Sequence, residues 1–560
     1  MKHSVQIVQC SSNRCDSCPK QLELKCQELV SGNQDKEKST ILIEQNRGLL
    51  HMRFSGNPVL IEPPWFTDGW ESVFVGKDSD LFYNIMEIID IYCVEPYVSL
   101  FFSEQDGHHV RYLHLPIVGT ALEFSLLGDL ANDYRRLTSK VIETRESLTN
   151  HLERVVTIIS NHIKDRIPEI NASKRSRLAQ IVSHQTSVFG RIFPILLDEM
   201  TEEVYLDGPN CSIYFDHQQL GRCITSSTFD DTEVPRIVTF LRSESNLHLD
   251  RSNPSLKMEL VLFDTALRLS ASVPPLSSDG LSLEIRRARK QPFTIIDLIE
   301  NNTITREAAA ILLLAIASRL NITITGGPGT GKTTLLNALD SVTPRWWRKV
   351  YIEDAIESRI LRDHHQVRLQ VDPVDEHQKR LNKSEEIIKC LHRSPDYLIL
   401  GEIQTIEHSI ALFQAVAAGL HSIQTCHSDS AASLISRWIL GHNIEKSNLG
   451  LMDLIVTLER PKPGESIRYV KEIVEIRKGV QNGLLTFLGI NTVYDNISKN
   501  IGRFVEDGSF KTLAKSLGID NHEQALNSLI TTFQNYSENL DLEKLSENMW
   551  SYGHPMKFVG

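Results

Sequence analysis

The run Gly326-Gly327-Pro328-Gly329-Thr330-Gly331-Lys332-Thr333 fits G-x-x-x-x-G-K-[ST] at every position. Glycines at these places let backbone N–H groups close around phosphate oxygens with no Cβ in the way. A helix opening at such a loop adds favourable partial charge. Lys332 is placed to reach the β- and γ-phosphates of a nucleotide and Thr333 to offer its hydroxyl to Mg²⁺, with Thr334 in the same turn. Two acidic ends follow downstream. VYI runs into Glu353-Asp354-Ala355-Ile356-Glu357, and YLIL into Gly401-Glu402. Carboxylates at strand ends face the crevice where a phosphate loop also sits. One can hold Mg²⁺ and another can orient or deprotonate an attacking water. In GLHSIQTCHSDSA (419–431), Thr425 and His427 are placed to sense the γ-phosphate; the plainer alternative is a structural histidine.

A second candidate site is unrelated to phosphate. Cys10, Cys15, Cys18 and Cys26 fall within 17 residues. Cys15-x-x-Cys18 has the spacing of a metal knuckle, and the outer two lie near enough to complete a tetrahedral Zn²⁺ site. An iron–sulfur cluster and free thiols are the alternatives. The five dispersed cysteines read as small core residues.

These groups need strands and helices to bring them together. Residues 306–320 are apolar on nearly all sides, which predicts a buried helix. NITIT (321–325), RKVYIED (348–354), QVRLQVD (366–372) and YLILGE (397–402) read as strands, and a helix opens at the loop. That rhythm predicts an α/β domain with a mostly parallel sheet. Upstream, Val141, Leu148, Leu152, Val155, Ile159, Ile163 and Ile167 form one face of a long helix. IDIYCVEPYVSLFF and VRYLHLPIV look like strands, and EVYLDGPNCSIYFD like strand, turn, strand. Alternation at Leu267, Leu269, Ala271, Val273 and again at Leu281, Leu283, Ile285 predicts further strands. Beyond about 461 no motif emerges.

The 560 residues carry 59 Lys+Arg against 71 Asp+Glu, a net charge of −12. That acidic balance argues against sequence-independent nucleic-acid binding. The longest strongly apolar uncharged run, Ala308 to Ser318, is far short of the roughly 20 residues that span a bilayer. MKHSVQIVQC shows no apolar secretory core, so a cytoplasmic location is expected.

Taken in order, these segments resemble the secretion-type motor ATPases of type II and type IV secretion systems, type IV pili and the archaellum, in their archaeal branch. The phosphate loop comes first. IEDAIE (352–357) is similar to the aspartate box, SPDYLILGEIQTIE (394–407) to an atypical Walker B with Gly-Glu, and 419–427 to the histidine box. LLDEMTEEVYLDGP (196–209) and VPPLSSDGLSLEIRRARKQPFT (273–294) resemble that branch's second N-terminal domain. The likeness is good over roughly 190–460 and loose elsewhere.

The resemblance implies an α/β fold, with a RecA-like P-loop ATPase domain preceded by α+β N-terminal domains and followed by a small C-terminal extension. It also implies ATP and Mg²⁺ as ligands, a hexamer, an integral-membrane platform as partner, no nucleic acid, and a cytoplasmic location against the inner face of the membrane. It assigns Lys332 and Thr333 to phosphate and Mg²⁺, Glu357 to the attacking water, Glu402 to Mg²⁺ and His427 to the histidine box. Arg286 and Arg287 stand where the family has a basic pair beside the nucleotide, and Arg393 remains from its arginine-rich helix. Departures are Ala355 for a proline, Gln404 for an arginine, and Leu420, with His421 one place off, for the first box histidine. The domain reading is 1–40 cysteine-rich segment and linker, 41–190 mixed domain with the long helix, 191–290 second α+β domain, 291–460 ATPase domain, and 461–560 C-terminal region. The competing readings are a nucleic-acid translocase or helicase on a related P-loop core, and a nucleotide-binding regulator that barely hydrolyses.

Overall fold

Alternating buried strands and helices separate the chain into two units, Met1–Lys290 and Gln291–Gly560, in a computed structural model. It describes residues 147–372 and 381–511, except 226, 290 and 291, together with 4–9, 40–46, 49–55, 72–75, 87–103, 110–117, 121–138 and 522–535. Cys10, Cys15, Cys18 and Cys26 lie outside the described residues, and so does Val141.

In the first unit a nine-stranded sheet has the spatial order Ser255–Leu262, Thr265–Ser272, Ser282–Arg287, Thr201–Leu206, Tyr214–His217, Gly221–Thr225, Val110–Pro116, Tyr97–Ser103, Glu87–Val94. Leu267, Leu269, Ala271, Leu283 and Ile285 are buried, as period-two alternation requires of a sheet covered on one face. Cys223 pairs with Val110 where Gly221–Thr225 and Val110–Pro116 run parallel. One sheet therefore spans the boundary read at 190, because strands from both segments complete each other's ladder. The helical stripe begins at Leu148, where the Ser147 hydroxyl accepts from the Asn150 N–H and stops the chain extending the helix backwards. Leu148, Leu152, Val155, Ile159 and Ile163 are all buried, each contributing about 1.5–3 kcal/mol.

The second unit holds another nine-stranded sheet, ordered Gln366–Gln370, Lys349–Glu353, Tyr397–Glu402, Ser422–Cys426, Ile322–Gly326, Leu454–Glu459, Tyr469–Gln481, Leu484–Asp495, Asn500–Ile501. The first six strands are parallel. Parallel strands present their C-terminal ends on one edge, so Gly326, Glu353, Glu402 and Cys426 finish side by side. The strand Ser422–Cys426 separates the loop strand from the Glu402 strand, the arrangement of a RecA-like P-loop domain. Helix Arg306–Ala317 is buried throughout Ala308–Ala317. It ends before the expected Leu320 because Arg319 turns left-handed at φ 52.

The last three strands are antiparallel and continue this sheet past residue 460. The boundary read there falls inside a sheet, not between domains. The hairpin Tyr469–Gln481 and Leu484–Asp495 was hidden from pattern reading by register shifts at Ile473/Val474 and Arg477/Lys478. Each shift swaps the face that the following residues present, which erases the alternation. No helix among the described residues is long and apolar enough to cross a membrane.

Candidate functional site

The phosphate loop follows strand Ile322–Gly326 and leads into helix Lys332–Ser341. Gly326 has φ 154, and a Cβ there would lie 2.6 Å from the Leu458 carbonyl oxygen and from Thr330 Oγ1. Gly331 caps the helix at φ 92, a left-handed conformation that L side chains rarely adopt. The glycines thus make a tight backbone cradle over a helix N-terminus. Thr330 Oγ1 closes the loop on the Gly327 carbonyl at 2.9 Å.

Lys332 is buried, and its Nζ donates to the carbonyls of Gly326 at 3.1 Å and Gly327 at 2.8 Å. It also lies 3.2 Å from His427 Nδ1. His427 leaves the end of strand Ser422–Cys426, and its Nε2 contacts Glu402 Oε1. Gln404 Nε2 donates to Glu402 Oε2 at 2.7 Å. Burial pushes the Glu402 carboxyl up, but the bonds from His427 and Gln404 and the nearby Lys332 charge outweigh it and bring it down to about 2. Three residues separated by as much as 95 positions, Lys332, Glu402 and His427, therefore form one chain of contacts beside the loop. Gln404, in place of the family's arginine, supports the Glu402 carboxylate with a neutral amide.

The acid-rich loop after Lys349–Glu353 divides its labour. Glu353 is buried and its carboxylate accepts from the N–H groups of Glu357 at 3.0 Å and Ser358 at 2.9 Å, and from the Ser358 hydroxyl. It holds the loop's shape. Asn337, on the phosphate-loop helix, donates to the Glu357 carbonyl at 3.0 Å. Glu357 is thereby fastened next to that helix, with its side chain half-buried. Asp354 Oδ2 pairs with Lys383 Nζ at 2.9 Å, while Asp354 Oδ1 is buried without a hydrogen-bond partner.

Two positioning residues escaped sequence reading. Lys383 Nζ also donates to the Glu402 carbonyl at 2.8 Å, so one buried ammonium ties both acidic ends together. In the polar stretch LNKSEE nothing marks it. Arg437 donates to the His427 carbonyl at 2.6 Å and the Gln404 carbonyl at 2.8 Å, joining the histidine loop to the Glu402 loop. A buried cation removed from its partner leaves a charge uncompensated, at a cost of about 3–5 kcal/mol. Lys383→Met is expected to lose stability on that order in denaturant unfolding. The double variant with Asp354→Asn should recover a large part, and equal losses for single and double variants would disprove the pairing.

The basic pair does not stay together. Adjacent strand residues face opposite sides, so in Ser282–Arg287 Arg286 is exposed and Arg287 buried. Arg287 donates to the carbonyls of Leu196 at 3.2 Å and Glu199 at 3.5 Å and serves the core of the first unit. Arg393 pairs with Glu386 at 2.8 Å. Among the described residues no cluster of His, Cys, Asp and Glu could hold a metal on its own.

The family model described as type II/IV secretion system protein matches residues 210–452, a span that takes in the loop and all three acid and histidine segments. The uncharacterized protein MJ1287 of Methanocaldococcus jannaschii is 32% identical over 182 residues, covering 32% of this chain and 67% of that protein. The chain belongs to the type II/IV secretion protein family. Other family relatives are the uncharacterized protein MJ0781 of the same organism, 30% identical over 45% of this chain and 38% of that protein, and the conjugal transfer protein TrbB of Rhizobium radiobacter, 32% identical over 38% of this chain and 66% of that protein. This family member spans half or less of the length of the first curated relatives it matches.

Proposed function

We propose that this chain is a secretion-type motor ATPase that binds Mg-ATP in the phosphate loop and couples its hydrolysis to work on an integral-membrane platform. The observation that carries this reading is the contact chain from Lys332 through His427 to Glu402 at one sheet edge. The family membership supports it. In this reading the loop N–H groups and Lys332 bind the phosphates, and Thr333 and Thr334 complete the cradle. Mg²⁺, held by Thr333 with support from Glu402, supplies charge neutralisation on the phosphates. Glu357 orients the attacking water and takes its proton. His427 joins Lys332 to Glu402, so a phosphate drawing Lys332 off its carbonyls changes what His427 faces. That links nucleotide state to the loop clamped by Arg437.

The chain acts as a hexameric ring, with Arg286 and Arg393 as candidates to reach a neighbour's nucleotide. It works in the cytoplasm against the inner face of the membrane and assembles a pilus-like filament or exports protein. The relative named a conjugal transfer protein fits transport across an envelope. The test is steady-state ATP hydrolysis by the full chain alone, with membranes carrying a co-expressed platform protein, and with DNA. Stimulation by the platform membranes, with a ring-sized species in light scattering, is the expected result. Stimulation by DNA alone would instead establish the translocase reading, and a strict monomer in every nucleotide state would count heavily against a motor.

A further inference from the structure

Strand Leu454–Glu459 runs parallel to the loop strand with Leu458 opposite Gly326, so the chain leaves it immediately beside the phosphate loop. The first residue out is Arg460, half-buried. A Cβ built on Gly329 would lie 3.3 Å from Arg460 Nη1, which places the guanidinium against the rim of the loop. Arg460 Nε donates to the Glu465 carbonyl at 2.6 Å across the turn that contains Pro461, Pro463 and Gly464. That bond fixes the plane of the fork. The sheet order puts this strand on the far side of the loop strand from Ser422–Cys426 and Tyr397–Glu402, and hence from His427 and Glu402.

We propose that Arg460 is a second phosphate-binding cation, which grips the phosphates that stay on the nucleotide from the side of the loop opposite Glu402. The proposal rests on the nucleotide reading above. Its chemistry is that of a planar guanidinium with donors in a fixed fork, which matches phosphate oxygens better than a flexible ammonium does. The side of the loop decides which phosphates it holds. Glu402 and His427 gather where the terminal phosphate is cleaved, and Arg460 lies away from them. Glycine at 329 leaves room for the guanidinium, since any side chain there would meet Nη1.

The test compares the affinities of the full-length wild type, Arg460→Gln and Arg460→Lys for ATP, ADP and inorganic pyrophosphate, with melting curves to confirm folding. A charge-assisted contact removed from a phosphate is expected to weaken all three ligands about 10- to 100-fold in Arg460→Gln. Arg460→Lys should restore part of the loss. Unchanged affinities, a loss for ATP only, or a loss for both nucleotides but not pyrophosphate would each overturn the proposal. A wild type that binds none of the three would overturn the nucleotide reading and this proposal with it, whereas a wild type that binds all three while Arg460→Gln matches it would remove this proposal alone.

Discussion

Glu357→Gln is expected to bind Mg-ATP as tightly as wild type while its single-turnover hydrolysis falls about 10²–10⁴-fold, the usual worth of a general base. A carboxylate that orients water acts mainly in the transition state, so its loss spares ground-state binding. The structure separates this residue from the acid four positions earlier. Glu353 is buried, and its oxygens are taken by Glu357 N–H, Ser358 N–H and the Ser358 hydroxyl. Burial also raises its pKa. Glu353→Gln should therefore loosen the loop and lower the melting temperature, with slower hydrolysis following from displacement of Glu357. Asp354 is committed to Lys383 through one oxygen. The comparison is ATP affinity, single-turnover rate and melting temperature for Glu357→Gln and Glu353→Gln. Wild-type hydrolysis in Glu357→Gln would show that the divergent aspartate box, with Ala355 where the family has proline, works through another acid.

Lys332→Ala is expected to lose binding and turnover together. The ammonium is buried against two backbone carbonyls and a ring nitrogen of His427, none of them anionic, so a phosphate would outcompete them. Two charge-assisted contacts at about 1.5–3 kcal/mol each imply roughly 10²–10⁴-fold weaker ATP binding. The same substitution removes one of the charges that hold the Glu402 carboxyl low. Glu402→Gln should differ in kind. It keeps nucleotide binding and weakens the dependence of hydrolysis on Mg²⁺. Affinity by calorimetry at several Mg²⁺ concentrations separates the two variants. Near-normal ATP affinity in a folded Lys332→Ala protein would remove the loop from the mechanism.

The phosphate loop was legible as residues because its chemistry is local: eight consecutive positions need glycine freedom, a lysine and a hydroxyl, and the backbone does the rest. The parallel sheet was legible too, since a short β-branched run such as NITIT and a short apolar run such as YLIL read as buried strands between helical segments. Their order along the chain placed Glu402 at a strand end, whereas His427 was named through the likeness of 419–427 to a histidine box. What a linear pattern could not carry was pairing between distant segments. Lys383 sits in a polar stretch without periodicity, and its value comes from Asp354 and Glu402, 29 and 19 positions away. Arg437 likewise acquires its role only when the loops after Glu402 and Cys426 meet. The basic pair at 286–287 looked like a single unit in the sequence, yet strand geometry turned one arginine out and the other into the core. The strands beyond residue 460 joined the sheet because an open edge at Leu454–Glu459 needed partners for its backbone groups, a demand that arises in three dimensions and leaves no mark on the local sequence.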